Sequence, residues 1–230
     1  MPATVHDVIR PQPVNPLAVV SPRDFLCGRA KPCDIETILN KPSVSLYCCD
    51  NNCKQVVFVE TDPAIDLTTA PFLKQAQLAH AKRLFRVGHD ELYQMADKVS
   101  RWFGQLILIY SVGRCGSTLL SKMFSKVTGC YSLSEPDIYT QLLGCSVPHQ
   151  ESVNLLRAVT RLLGKPHFPT PSAHLVLKFR GVCIEQAAMM NEAFPESKMI
   201  FMYRNAEAHS DIGDASLLSP WITVVDVSVA

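Results

Sequence analysis

Apolar residues run unbroken from Leu106 to Tyr110, the pattern of a strand buried on both faces. Ser111 and Val112 end the run, and small residues around Arg114 fill 113–118. Leu119, Leu120, Met123 and Phe124 then recur at helical spacing. The pattern predicts a strand, a tight loop and a helix reaching about 127. Downstream, 138–143 and 152–163 carry helical spacing, and strand 175–180, helix 184–193 and strand 198–204 form a β-α-β unit. Upstream, 44–49 and 55–60 are β-rich runs around Asp50-Asn51-Asn52, which predicts a hairpin. Residues 63–71 read as a loop. Windows 72–85 (Leu73, Ala76, Leu84) and 90–103 (Leu92, Met95, Val99) read as helices broken at Gly88. Residues 1–42 are proline-rich and read as mostly irregular, with one short helix around 33–39.

Strands alternating with helices predict an α/β chain whose mostly parallel sheet is covered on both faces. Three parts are expected. Residues 1–103 form an N-terminal region, irregular apart from hairpin 44–60 and helices 72–103. Residues 104–208 form the α/β core, and residues 209–230 a divergent tail.

Composition narrows the classes. Of 230 residues, 47% are hydrophobic and 19% charged, which excludes a largely disordered chain. A net charge of +1 argues against non-specific nucleic-acid binding, which needs a dense basic face. No apolar run approaches the ~20 residues of a membrane helix, and the first 20 residues lack a signal-peptide core. A cytoplasmic chain without a membrane segment is expected. Nine cysteines, an odd number, are expected as reduced thiols. None shows the spacing of a structural zinc site, so no metal is expected.

The loop between strand and helix carries the candidate chemistry. Unpaired N–H groups and the positive end of the helix dipole converge at such a junction and form an anion site. Gly113 and Gly116 let the backbone approach a phosphate, Arg114 brings a fixed charge, Cys115 fills a small position, and Ser117 and Thr118 bring hydroxyls. A nucleotide triphosphatase loop requires a lysine directly before its hydroxyl residue. Here Gly116 stands there, which leaves a kinase or NTPase a minor alternative.

Arg114-Cys115-Gly116-Ser117-Thr118 resembles the 5′-phosphosulfate loop of sulfotransferases: a basic residue, a small residue, glycine, then two hydroxyl residues. Residues 194–205, FPESKMIFMYRN, resemble the family strand that delivers an arginine, here Arg204, to the 3′-phosphate. The resemblance covers about 104–208. It implies a three-layer fold of the P-loop NTPase type, with 3′-phosphoadenosine 5′-phosphosulfate as co-substrate and no metal. The implied activity is sulfuryl transfer to a hydroxyl or amine. The acceptor and the oligomeric state are not implied.

Such a transfer needs a base for the acceptor proton. Glu135 is the candidate, at a turn beyond the helix where protein-tyrosine and several carbohydrate sulfotransferases carry a glutamate, and Asp137 is its rival. His149, His167 and His174 qualify by chemistry only. Lys178, ending a short strand, is a candidate contact, although a solvated edge charge would look the same. The family expects a serine at position 212, which is Ile212 here; Ser210 is close but out of register. The tail does not continue the expected helix. A non-catalytic, truncated member of the family acting through protein contacts is therefore the alternative reading.

Overall fold

The computed structural model describes residues 3–13, 15, 18–50, 54–99, 104–165, 173–203 and the backbone of 223–226. Two sheets organise the chain. The first is antiparallel and is built from β1 (Thr4–Pro11), β2 (Phe25–Cys27), β3 (Lys31–Pro32), β4 (Val44–Cys49), β5 (Gln55–Thr61) and β6 (Ala81–Gly88). Its order is β2-β1-β6-β5-β4, with β3 also on β1. The second contains β7 (Leu106–Ser111), β8 (Cys130–Ser134), β9 (His174–Lys178), β10 (Lys198–Tyr203) and β11 (Thr223–Asp226). It runs β11-β10-β7-β9-β8, parallel except at the β10–β11 edge.

Helices fill the space around these sheets. They are α1 (Ile35–Leu39), α2 (Leu73–His80), α3 (His89–Lys98), α4 (Ser117–Phe124), α5 (Ile138–Leu143), α6 (His149–Gly164) and α7 (Ala187–Ala193). One hydrophobic core joins Val44, Leu46, Phe58 and Phe85 of the first sheet to Leu106, Leu108, Leu133 and Leu177 of the second. Ile138, Val153, Leu156 and Val159 of α5 and α6 belong to the same core. A smaller cluster of Ile109, Cys115, Val176 and Met202 covers the other face of the parallel sheet, where Leu120 and Phe124 of α4 pack.

Polar side chains stitch the two sheets together. Gln141 on α5 accepts the Cys49 N–H at 2.8 Å and donates to Val20 O at 2.7 Å. Buried Lys165 donates from Nζ to Ile38 O and Lys41 O, both at 2.8 Å. Burial lowers its pKa to about 8.

The alternation of helix and strand predicted after Leu106 is present, and α5 spans the expected 138–143. The region before it differs. The helix predicted over 72–85 ends at His80, and Ala81–Gly88 is a strand paired with both β5 and β1. Its residues alternate between two buried faces, Leu84 facing one cluster and Phe85 and Val87 the other. Tertiary pairing overrides local helical spacing there. The supposedly irregular start contains β1, β2 and β3, so hairpin 44–60 is one part of a six-stranded sheet. Strand β8 was not predicted, because Ser132 and Ser134 break its apolar run, yet both are buried. Within the expected tail, Thr223–Asp226 adds an antiparallel edge strand on β10. The expectation of reduced thiols fails at Cys145, which is disulfide-bonded. Among the described residues seven other cysteines are free.

Candidate functional site

The loop after β7 is pinned from below. Cys115 buries its side chain in the cluster between α4 and the sheet, and its thiol donates to Val112 O at 3.1 Å. The Val112 N–H donates to Met202 O at 3.1 Å and fixes the loop against β10. Gly116 caps α4 with φ 86°, a left-handed backbone that glycine adopts without penalty. Gly113 is different. Its backbone is not left-handed, and a Cβ added there would meet nothing within 4 Å. Neither strain nor packing within the chain requires glycine at 113, and open space lies beside it.

The donors of this loop are unspent. Leu119 and Leu120 donate their N–H groups to Gly116 O, whereas those of Ser117 and Thr118 meet no acceptor among the described residues. No side chain caps the helix. Ser117 Oγ accepts from Ser111 Oγ at 2.9 Å, which leaves its own proton for another acceptor. Arg114 is exposed and forms no ion pair with a described residue. Together these groups form a cluster of donors and positive charge suited to phosphate or sulfate oxygens.

Glu135 and Lys178 lie at the C-terminal ends of neighbouring strands. Register pairs Lys178 with Ser134 on β8 and with Ile109 on β7, which places the buried lysine on the α4 side of the sheet. Its ammonium donates to Glu135 Oε1, and the Glu135 N–H donates to Lys178 O at 2.6 Å. Lys178 is thus a buried partner of the candidate base rather than a solvated edge charge. Ser134 Oγ, beside it, is buried without a hydrogen-bond partner.

Backbone strain marks the same residues. Among the described non-glycine residues, only Arg114 (φ 64°) and Glu135 (φ 53°) have positive φ. Glu135 also precedes Pro136, so its helical region is disfavoured as well. Strained backbone of this kind persists where the surrounding structure over-determines it, and it clusters at functional sites.

The rival residues have other roles. Asp137 is fully enclosed; it accepts the Val20 N–H at 3.0 Å and Arg180 Nη1 at 2.8 Å, with Lys74 Nζ 3.5 Å away. It is a structural anchor with no oxygen turned to the loop. His149 pairs with Glu192 at 2.7 Å on the exposed start of α6. His174 begins β9 at the opposite end of the sheet and accepts the Gln105 N–H at 2.9 Å. His167, Arg204 and Ser210 lie outside the described residues. Sequence reasoning missed Ser111 and Ser134; the one signal for them is a polar residue at the tip of an otherwise apolar strand.

Among the described residues no cluster of three or more His, Cys, Asp or Glu could hold a metal ion. No helix of the described residues is long and apolar enough to cross a membrane. The chain matches no protein-family model, no curated protein and no solved structure.

Proposed function

We propose that the chain is a sulfotransferase of the P-loop type, moving a sulfuryl group from 3′-phosphoadenosine 5′-phosphosulfate to a hydroxyl or amine. The observation that carries this reading is the coincidence of strain and unspent donors. The two left-handed non-glycine residues among those described are Arg114, in the loop whose Ser117 and Thr118 N–H groups are free, and Glu135, at the end of β8, where Ser134 Oγ lies buried and orphaned beside Lys178. Strand β7, which bears the loop, lies between β9 and β10 within the parallel strands, an order compatible with a P-loop fold.

These residues fit the 5′-phosphosulfate half of the co-substrate. Gly113, Arg114, Cys115, Gly116, Ser117 and Thr118 would cradle it, while Arg204 and Ser210 are assigned to the 3′-phosphate from the motif alone. When bound, the co-substrate supplies a sulfuryl group whose bond to the 5′-phosphate oxygen breaks as the acceptor oxygen attacks sulfur. Glu135 takes the proton from that acceptor, and its contact with the Lys178 ammonium orients the carboxylate. Arg114, with the N–H groups of Ser117 and Thr118, stabilises charge that grows on the departing phosphate. The Lys178 ammonium pairs with the carboxylate before transfer, and the proton that Glu135 takes passes to solvent when the products leave. The products are the sulfated acceptor and adenosine 3′,5′-bisphosphate.

Seven free thiols support a reducing, cytoplasmic setting, whereas the Cys145 disulfide points to an oxidising one. We place the chain in the cytoplasm, and thiol counting on protein isolated under alkylating conditions tests that placement.

Calorimetric titration of the full chain with adenosine 3′,5′-bisphosphate tests the function. Saturable binding, weakened roughly 10–100-fold in Arg114→Ala, is expected from the loss of a charged hydrogen bond worth about 1.5–3 kcal/mol. No binding to the parent chain overturns the co-substrate assignment. Binding without sulfuryl transfer to any hydroxyl or amine leaves a non-catalytic member acting through protein contacts.

A further inference from the structure

A cavity of about 710 Å³ opens at the seam of the two sheets, within the size range of sites for small organic ligands. Cys130 and Tyr131, at the start of β8, form one wall, and Glu60 and Thr61, at the end of β5, form another. Glu135 follows the other end of β8, so the cavity and the candidate base lie at opposite ends of that strand. Most of the lining is apolar. Leu67 and Tyr131 belong to the shared core, Ile65 packs against it, and Pro42 and Pro63 extend the surface.

The polar groups of the lining stand on fixed backbone. Buried Lys165 donates to Lys41 O at 2.8 Å, and Thr61 donates to Ser43 O from its N–H at 3.0 Å and from its hydroxyl at 3.4 Å. The Ser43 hydroxyl itself meets no partner among the described residues. Lys41 Nζ lies 3.5 Å from Glu60 Oε1, its one partner there. Arg83 already holds the same carboxylate, with Nη2 on Oε1 at 2.8 Å and Nε 2.6 Å from Oε2. Two cations thus share one carboxylate, and this corner keeps an excess of positive charge. Asp66, the other acid of the lining, is exposed and caps its own turn, its Oδ1 accepting the Thr68 N–H at 3.0 Å and hydroxyl at 2.7 Å.

We infer that this cavity binds a small apolar acid, whose carboxylate meets the Lys41 ammonium and the Ser43 hydroxyl while its body covers Ile65, Leu67 and Tyr131. A hydrogen bond between an ammonium and a carboxylate is among the stronger polar contacts, and the fixed backbone reduces the ordering that binding requires. The body gains from the apolar surface that it removes from water. An amine of the same shape would meet Lys41 and Arg83 as like charges. No residue of the loop 113–118 lines the cavity, so the inference is independent of the sulfuryl-transfer reading.

The test titrates the full chain calorimetrically with indole-3-acetate and tryptamine, which share an indole body and carry opposite charges. Indole-3-acetate is expected to bind roughly tenfold or more tightly than tryptamine. K41M is expected to weaken the acetate by a similar factor and to leave tryptamine within a few-fold, with an unchanged melting temperature certifying the fold. If K41M fails to fold, S43A removes only the hydroxyl and is expected to weaken the acetate in the same direction. Alkylation locates the ligand, because Cys130 is a free, partly exposed thiol of the lining. Saturating indole-3-acetate should slow iodoacetamide labelling of Cys130 but not of Cys27, read by peptide mass spectrometry. No saturable binding of the acetate, equal or tighter binding of tryptamine, unaltered acetate affinity in a folded variant, or an unprotected Cys130 each overturns the inference.

Discussion

Glu135 and Lys178 grip each other twice, once through backbone and once through side chains. The Glu135 N–H donates to Lys178 O at 2.6 Å, and the Lys178 ammonium returns to the Glu135 carboxylate. The first contact fixes where the residue stands and the second fixes where its carboxylate points. Only the second involves Lys178 beyond its backbone, so the two can be separated by substitution.

Glu135→Gln retains the backbone contact and nearly the same shape. Bisphosphate affinity should stay within a few-fold of the parent, while turnover drops by ~10²–10⁴ if the carboxylate is the base. Steady-state kinetics beside calorimetry check the split, and turnover within a few-fold of the parent would move the role elsewhere.

The two loop glycines should behave differently. Gly116→Ala forces a left-handed backbone on an L side chain and should cost about 1–2 kcal/mol of stability. Gly113→Ala meets nothing, so its melting temperature should match the parent's while bisphosphate binding weakens. Thermal denaturation and calorimetry on both variants check the contrast; equal melting losses would refute it.

Asp137→Ala should unfold the chain rather than merely slow it. The change leaves the Arg180 and Lys74 cations and the Val20 N–H without their carboxylate, and breaking a buried pair costs about 3–5 kcal/mol. Chemical denaturation measures the loss. A stable variant with a selective loss of turnover would restore Asp137 as a catalytic candidate.

Lys165 titrates unusually low because burial disfavours its charge. With the folded pKa near 8 and the unfolded one at 10.5, the unfolded chain holds more protons between those values. The lysine therefore weakens the fold most below pH 8, and this penalty lifts as the pH rises. Relative to Lys165→Met, the parent should gain stability between pH 7.5 and 9.5. Urea denaturation of both proteins at each pH checks the sign, and a flat difference would contradict it.

The loop was legible in the sequence because strand, glycines and helix are contiguous. Their chemistry depends on local backbone, which residue order alone dictates. The helix after it was legible only in outline. Leu119 and Met123 share the apolar spacing but are 64% and 60% exposed, and Leu120 and Phe124 make the contact with the sheet. Spacing shows that a stripe exists without showing which side of it meets the sheet. β6 was misread because LFRV can serve helix or strand, and only partners 20 or more residues away decide between them. The roles of Asp137 and Ser134 were equally hidden, since a carboxylate and a hydroxyl at a strand end look alike until their neighbours are known.

Asp137 binds Val20 two residues beyond the candidate base, and α5 and α6 lend side chains to both sheets. Apart from the small cluster under α4, the parallel sheet therefore shares its core with the antiparallel one. Heating should produce one cooperative transition in which the antiparallel sheet melts and bisphosphate affinity vanishes at the same temperature. The amino-terminal hundred residues are thus part of the scaffold that keeps the Glu135 carboxylate in position, and trimming them away should unfold the parallel sheet along with the antiparallel one.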